Sequence, residues 1–198
     1  MNAQEIIKKL NSLNNPVNVA GMARFGITPK TKVLGISLYV LRPMAEKIKK
    51  ETTDCHKLAL ELWQKEVHEA RLLAVFIDDP KKVTEEQMEK WIKDFDSWDI
   101  CDQATTSLFD LTPQAFKKAL EWSKRENEFE KRAGFALMAG LSVHDKKAED
   151  KIFYPFLKAI KREATDERNY VRKAVNWALR NIGKLRNRNL YILAVETA

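Results

Sequence analysis

The stretch DFDSWDICDQ, residues 94–103, places four carboxylates and one indole within ten positions. Trp98 and Asp102 are four residues apart, so on a helix they share a face, one turn or about 6 Å along the axis. Ile100 and Cys101 fall on the other face. A carboxylate fixed beside an aromatic ring suits positive charge, because the ring face attracts a cation and the carboxylate stabilises charge where it develops. The plainer readings are a core aromatic for Trp98 and a buried ion-pair partner for Asp102. The other aspartates divide differently: Asp96 as N-cap with Asp99 at N3 forms a capping-box-like start, and Asp94 is expected in solvent. A metal cluster of all four is disfavoured, since one helix cannot aim them at a single ion.

A second group lies near the C-terminus. Trp177 stands in NYVRKAVNWALR beside Arg172, Lys173 and Arg180, and Arg132 occupies the corresponding helix one repeat earlier. Aromatics interleaved with Lys and Arg suit a surface that follows phosphates and touches bases or sugars. The charge distribution points the same way. Residues 1–150 carry 24 basic and 24 acidic side chains, whereas residues 151–198 carry 11 and 4, so the whole net charge of +7 is C-terminal. Basic residues gathered at one end are the footprint of a polyanion binder, and without a lipid-inserting stripe nucleic acid ranks above an acidic membrane.

Other chemistries are poorly supported. Cys55 and Cys101 are far apart and form no C-x-x-C, so they read as free thiols of a reducing compartment. His68 and Glu69 begin an H-E-x-x-H pattern that Leu72 breaks. No stretch approaches the roughly 20 apolar residues of a membrane span, and the expected location is cytoplasmic.

The elements that must position these residues are helical almost throughout. With six glycines, six prolines, 44% hydrophobic and 32% charged residues, the chain reads as a globular all-α protein. Apolar residues at three and four spacing run through CHKLALELWQ and on through EARLLAVFI until DDP, as one helical pattern. Further helices are expected at about 84–95, 97–109, 112–123, 126–141, 148–162 and 167–183, while LGISLYVL is the one alternating stretch. EVHEARLLAVFI, EFEKRAGFALMAGL and NYVRKAVNWALRNIG look alike, each with a helix-internal alanine (Ala70, Ala133, Ala174), and the SWDICD helix fits as a missing copy. Repeats of this size with paired helices predict a HEAT-like helical solenoid over 1–198 as a single domain, curved, with a basic concave face.

In order along the chain, MARFGI, RPMAEKI, ALELWQKEVHEARLLAVFI, SWDICD, EFEKRAGFALMAGL and RKAVNWALR resemble the AlkD-like DNA alkylation repair enzymes, which are HEAT-like-repeat DNA glycosylases. The W-D-x-x-D core is the most specific piece. The resemblance implies excision of N3- and N7-alkylated purines from double-stranded DNA, a step of base excision repair. It implies Asp102 as the catalytic carboxylate, Trp98 and Trp177 as aromatics framing the lesion, and Arg132 on the DNA backbone, beside the DNA contacts that the interleaved pattern already gives to Arg172, Lys173 and Arg180. It calls for no metal or organic cofactor, and a monomer suffices. The alternative on the same scaffold is a non-catalytic binder of damaged or branched DNA, and a HEAT-type protein-interaction scaffold ranks behind it.

Overall fold

The computed structural model describes all 198 residues. Twelve α-helices follow one another: α1 (Ala3–Ser12), α2 (Pro16–Arg24), α3 (Leu38–Glu51), α4 (Cys55–Trp63), α5 (His68–Ile77), α6 (Glu85–Ile92), α7 (Trp98–Ser107), α8 (Ala115–Trp122), α9 (Glu128–His144), α10 (Tyr154–Arg162), α11 (Asn169–Leu185) and α12 (Arg188–Thr197). Two short 3-10 turns, Phe109–Leu111 and Asp150–Ile152, join them, and there is no strand. The all-α reading therefore holds. No helix is long and apolar enough to cross a membrane.

Side chains punctuate the starts. Asn2 closes a capping box with Glu5, and Asp54, Thr84, Asn127 and Asn187 each accept from a first-turn amide of the helix that follows. These caps satisfy amides that have no partner inside the helix.

The long pattern expected from Cys55 to Ile77 is interrupted. α4 ends at Trp63 and α5 begins at His68, with Glu66 at φ 52° between them. At this break the Lys32 amide donates to the Glu66 carbonyl and the His68 amide to the Lys32 carbonyl. Both helices are rich in buried apolar residues up to the turn on either side, so periodicity alone passes over it. LGISLYVL is likewise split, extended to Ile36 and helical from Leu38.

Helices α5, α7, α9 and α11 pack in sequence against one another, and α4, α8 and α10 back α5, α9 and α11 respectively. This is the stacked-pair arrangement expected of HEAT-like repeats, and the SWDICD helix supplies the copy between α5 and α9. Ala70, Ala133 and Ala174 are fully buried at the contacts. Behind the row, Trp63 stacks on Trp91 at 3.9 Å, and Trp91, Phe109 and Trp122 continue the seam at 6.0–6.2 Å. One hydrophobic cluster extends from Ala3 to Ala194.

Gly134 sets how closely α8 and α9 approach. A Cβ there would stand 2.4 Å from the Ser123 amide nitrogen and 2.9 Å from the Ala119 carbonyl oxygen. Only a glycine admits that crossing.

Candidate functional site

Helix α7 begins at Trp98, with Ser97 as N-cap and Asp99 in the second helical position. The start is held from outside the helix. Asp96, expected to cap it, instead accepts from the Lys30 amide at 2.7 Å. Asp94, expected in solvent, accepts from the Trp63 indole at 2.8 Å and lies 3.9 Å from Arg71. Asp99, expected at N3 of a capping box, is bonded to buried His68 of α5 at 2.6 Å and to the Ser97 hydroxyl. Each of these carboxylates ties α7 or its lead-in to another segment, a long-range role that local spacing does not encode.

Burial opposes charge on both His68 and Asp99, and their mutual bond more than offsets it. The imidazole is held above its usual value and the carboxyl below its own. Both shifts describe one ion pair.

Asp102 faces α9. Both of its oxygens accept from Arg132: Nε to Oδ1 at 2.9 Å and Nη2 to Oδ2 at 2.7 Å. Arg132 also donates through Nη1 to the Tyr170 carbonyl of α11 at 2.7 Å, so one guanidinium joins three adjacent helices. Burial pushes the Asp102 carboxyl up, against the pull of Arg132, while the same pair holds Arg132 protonated. Arg132, expected on a phosphate backbone, is itself buried and spends three donors inside the protein.

Trp98, Asp102, Arg132 and Lys173 line one recess of about 540 Å³, together with Phe25, Gly26, Asn169 and Tyr170. Trp98 donates its indole N–H to the Phe25 carbonyl at 3.0 Å, and the Tyr170 hydroxyl donates to the Gly26 carbonyl at 3.2 Å. These bonds pin the turn after α2 over the recess and leave the Phe25 ring 77% exposed at its mouth. Three of the five tryptophans are fully buried; Trp98 and Trp177 are partly open.

On α11, a second recess of about 710 Å³ is lined by Arg172, Lys173, Asn176, Trp177, Arg180, Asn181, Lys184 and Leu185. It contains four cations and no carboxylate. Arg172, Lys173 and Arg180 are exposed and have no ion-pair or hydrogen-bond partner, unlike the paired Lys118, Arg125, Lys131 and Arg168. Lys173 lines both recesses, so the two groups that the sequence singled out meet on one face of the helical row.

Over residues 6–198 the chain matches the family described as DNA alkylation repair enzyme. The chain belongs to that family. It is 24% identical over 191 residues to an uncharacterized protein, Lin0241, of Listeria innocua, covering 96% of this chain and 82% of that one. A solved structure from a family of proteins related to the HEAT-like repeat DNA glycosylases, with affinity for branched DNA structures, superposes with a TM-score of 0.83 at 21% identity, over 100% of this chain and 82% of the other. That likeness places the fold among the HEAT-like repeats.

Within this member of the DNA alkylation repair family, sequence reasoning missed Phe25, Tyr170 and the His68–Asp99 pair. Phe25 lay inside the quoted MARFGI motif and Tyr170 opens the NYVRKAVNWALR helix. Their role comes from a contact 144 residues apart, between Tyr170 and Gly26, which no local pattern signals.

Proposed function

We propose that the protein is a monofunctional DNA glycosylase that hydrolyses the N-glycosidic bond of N3- or N7-alkylated purines in double-stranded DNA. The observation that carries this reading is a half-buried carboxylate, Asp102, opening beside the Trp98 ring into a recess also lined by Lys173. A carboxylate in a phosphate-binding groove weakens affinity, so its presence fits a cation on the reaction path.

An N3- or N7-alkylated purine already carries positive charge. Breaking its C1′–N bond returns the electron pair to the base and neutralises it, so no strong general acid is needed. The deoxyribose left behind is oxocarbenium-like until water adds at C1′ and releases a proton. Asp102 supplies the negative charge that this stage lacks, and Arg132 fixes its orientation through both oxygens. The ring faces of Trp98 and Trp177 favour a cationic base by about 0.5–2 kcal/mol each, according to how far water is excluded. Arg172, Lys173 and Arg180 hold phosphates. No step requires a metal or an organic cofactor, and a monomer contains every residue named.

The test is release of 7-methylguanine or 3-methyladenine from alkylated duplex DNA. Asp102→Asn is expected to lose most release while keeping DNA affinity. Removing one member of a buried pair costs about 3–5 kcal/mol of stability, so the double variant Asp102→Asn/Arg132→Gln, which replaces the ions by a neutral amide pair, is measured beside it. A folded double variant that releases base at the wild-type rate refutes the role of Asp102.

The second reading is a non-catalytic binder of damaged or branched DNA. It is favoured by the full engagement of both Asp102 oxygens with Arg132, as in a structural ion pair, and by the branched-DNA affinity described for the related structure. Wild-type protein that binds alkylated duplex under single-turnover conditions and releases no base decides for it.

A further inference from the structure

Beyond the Asp102 recess, the same helical row carries a buried acid and an open imidazole for which the proposed reaction has no use. Asp110, in the turn after α7, has a fully buried side chain, yet one oxygen reaches His144 Nδ1 and the other has no partner. Gly140 makes this possible. It lies one turn before His144 on α9, and a Cβ there would stand 3.0 Å from the Asp110 carboxylate. The His144 side chain is 46% exposed, and its Nε2 has no protein partner.

The ring borders a recess of about 600 Å³ whose lining includes Arg42, Gln103, Thr106, Trp177 and Asn181, and no carboxylate. The Arg42 guanidinium carbon lies over the Phe76 ring, 4.6 Å from its centroid, and one nitrogen donates to Gln103. Trp177 and Asn181 also line the cationic recess on α11, so this surface continues it. The charged groups around the imidazole are therefore Asp110 beneath it, Arg42 across the recess, and Asp145, Lys146 and Lys147 after it in the chain. Arg186, just after α11, donates to the Asp145 carbonyl.

From this geometry we infer that Asp110 and His144 form a proton-linked phosphodiester site, which extends the DNA path past the lesion site. The inference rests on the DNA-binding reading above. An imidazole that donates through Nδ1 to a carboxylate and through Nε2 to a phosphate oxygen must carry both protons. A phosphate seated there binds the imidazolium only, so above the imidazole range its binding takes up one proton. Buried Asp110 fixes the ring orientation through Nδ1, and Arg42 supplies the second donor.

The experiment is fluorescence anisotropy of a labelled undamaged duplex at constant ionic strength, from about pH 5.5 to about pH 8.5, a window spanning the ordinary imidazole titration. Wild-type affinity is expected to rise as pH falls, by at most about tenfold per pH unit, the limit for one linked proton. Its salt slope is expected to steepen by about 0.9 at the acid end, one phosphate contact more. In His144→Gln, a change at the exposed end of α9, both effects are expected to vanish. Wild-type binding that is flat with pH, or a pH dependence retained in His144→Gln and hence owed to His68 or His56, overturns the site and leaves the DNA-binding reading standing. Absence of duplex binding at every pH overturns both.

Discussion

A carboxylate sheltered from water depends on its donors, and three acids of this protein find them in three ways. Asp102 uses a guanidinium, Asp99 an imidazole and Glu69 the backbone itself. Glu69 is fully buried and accepts from the amides of Leu34, Gly35 and Ile36 at 2.7–3.2 Å, which fixes the extended lead-in to α3. Glu69→Gln replaces a charged acceptor by a neutral one whose NH₂ faces an amide donor. A loss of about 1–3 kcal/mol is expected by urea denaturation. The Asp99–His68 pair adds a pH signature. His68, raised above its unfolded 6.5, contributes stability fully below that pH and loses it as pH rises through the higher folded value. Asp99, lowered below 3.8, contributes above that pH and loses it as pH falls through its folded value. Urea midpoints of the wild type are therefore expected to decline on the alkaline side of pH 6.5, and His68→Gln to lack that decline. A decline of equal size in the variant would assign it to another group.

At the scale of elements, the helix crossings depend on small residues at fixed places, and Gly134 is the sharpest case. Alanine there gains about 1 kcal/mol of helix propensity but drives a methyl into the backbone of Ser123, where overpacking costs about 1–3 kcal/mol. Gly134→Ala is expected to lower the thermal midpoint, and a rise would mean that α8 slides without penalty. The existence and order of such helices were legible in the sequence, because each buries a stripe that repeats at three and four residues. The repeat kinship of α5, α9 and α11 was legible too, through Ala70, Ala133 and Ala174, with α7 fitting as the copy between them. The turn at 64–67 was not: it is made by the distant backbone of Lys32, which leaves no mark on the apolar phase of α4 and α5. In the site, Trp98 and Asp102 were legible as one face of one helix. The partners of Asp94, Asp96 and Asp99 were not, since Trp63, Lys30 and His68 approach from other parts of the chain.

Over the whole molecule, charge is sorted by use. Buried or half-buried cations such as Lys118, which meets Glu85, Glu89 and Glu121, are neutralised within the fold. Arg172, Lys173 and Arg180 project from α11 without partners, in the segment that carries the entire net charge of +7. A surface pair would contribute little to stability, so leaving these three unpaired costs the fold almost nothing and keeps their field available to a polyanion. On the DNA-binding reading, each phosphate neutralised releases counterions and contributes about 0.9 to the slope of log affinity against log salt. Lys173→Ala/Arg180→Ala is accordingly expected to reduce that slope by about 1.8 for undamaged duplex between 50 and 200 mM salt, with an unchanged urea midpoint. Because phosphate contacts carry no sequence information, the affinity loss is expected to be equal for duplexes of different sequence. A slope that stays at the wild-type value would move the phosphate path off α11, and with it the reason for placing Trp177 beside the DNA.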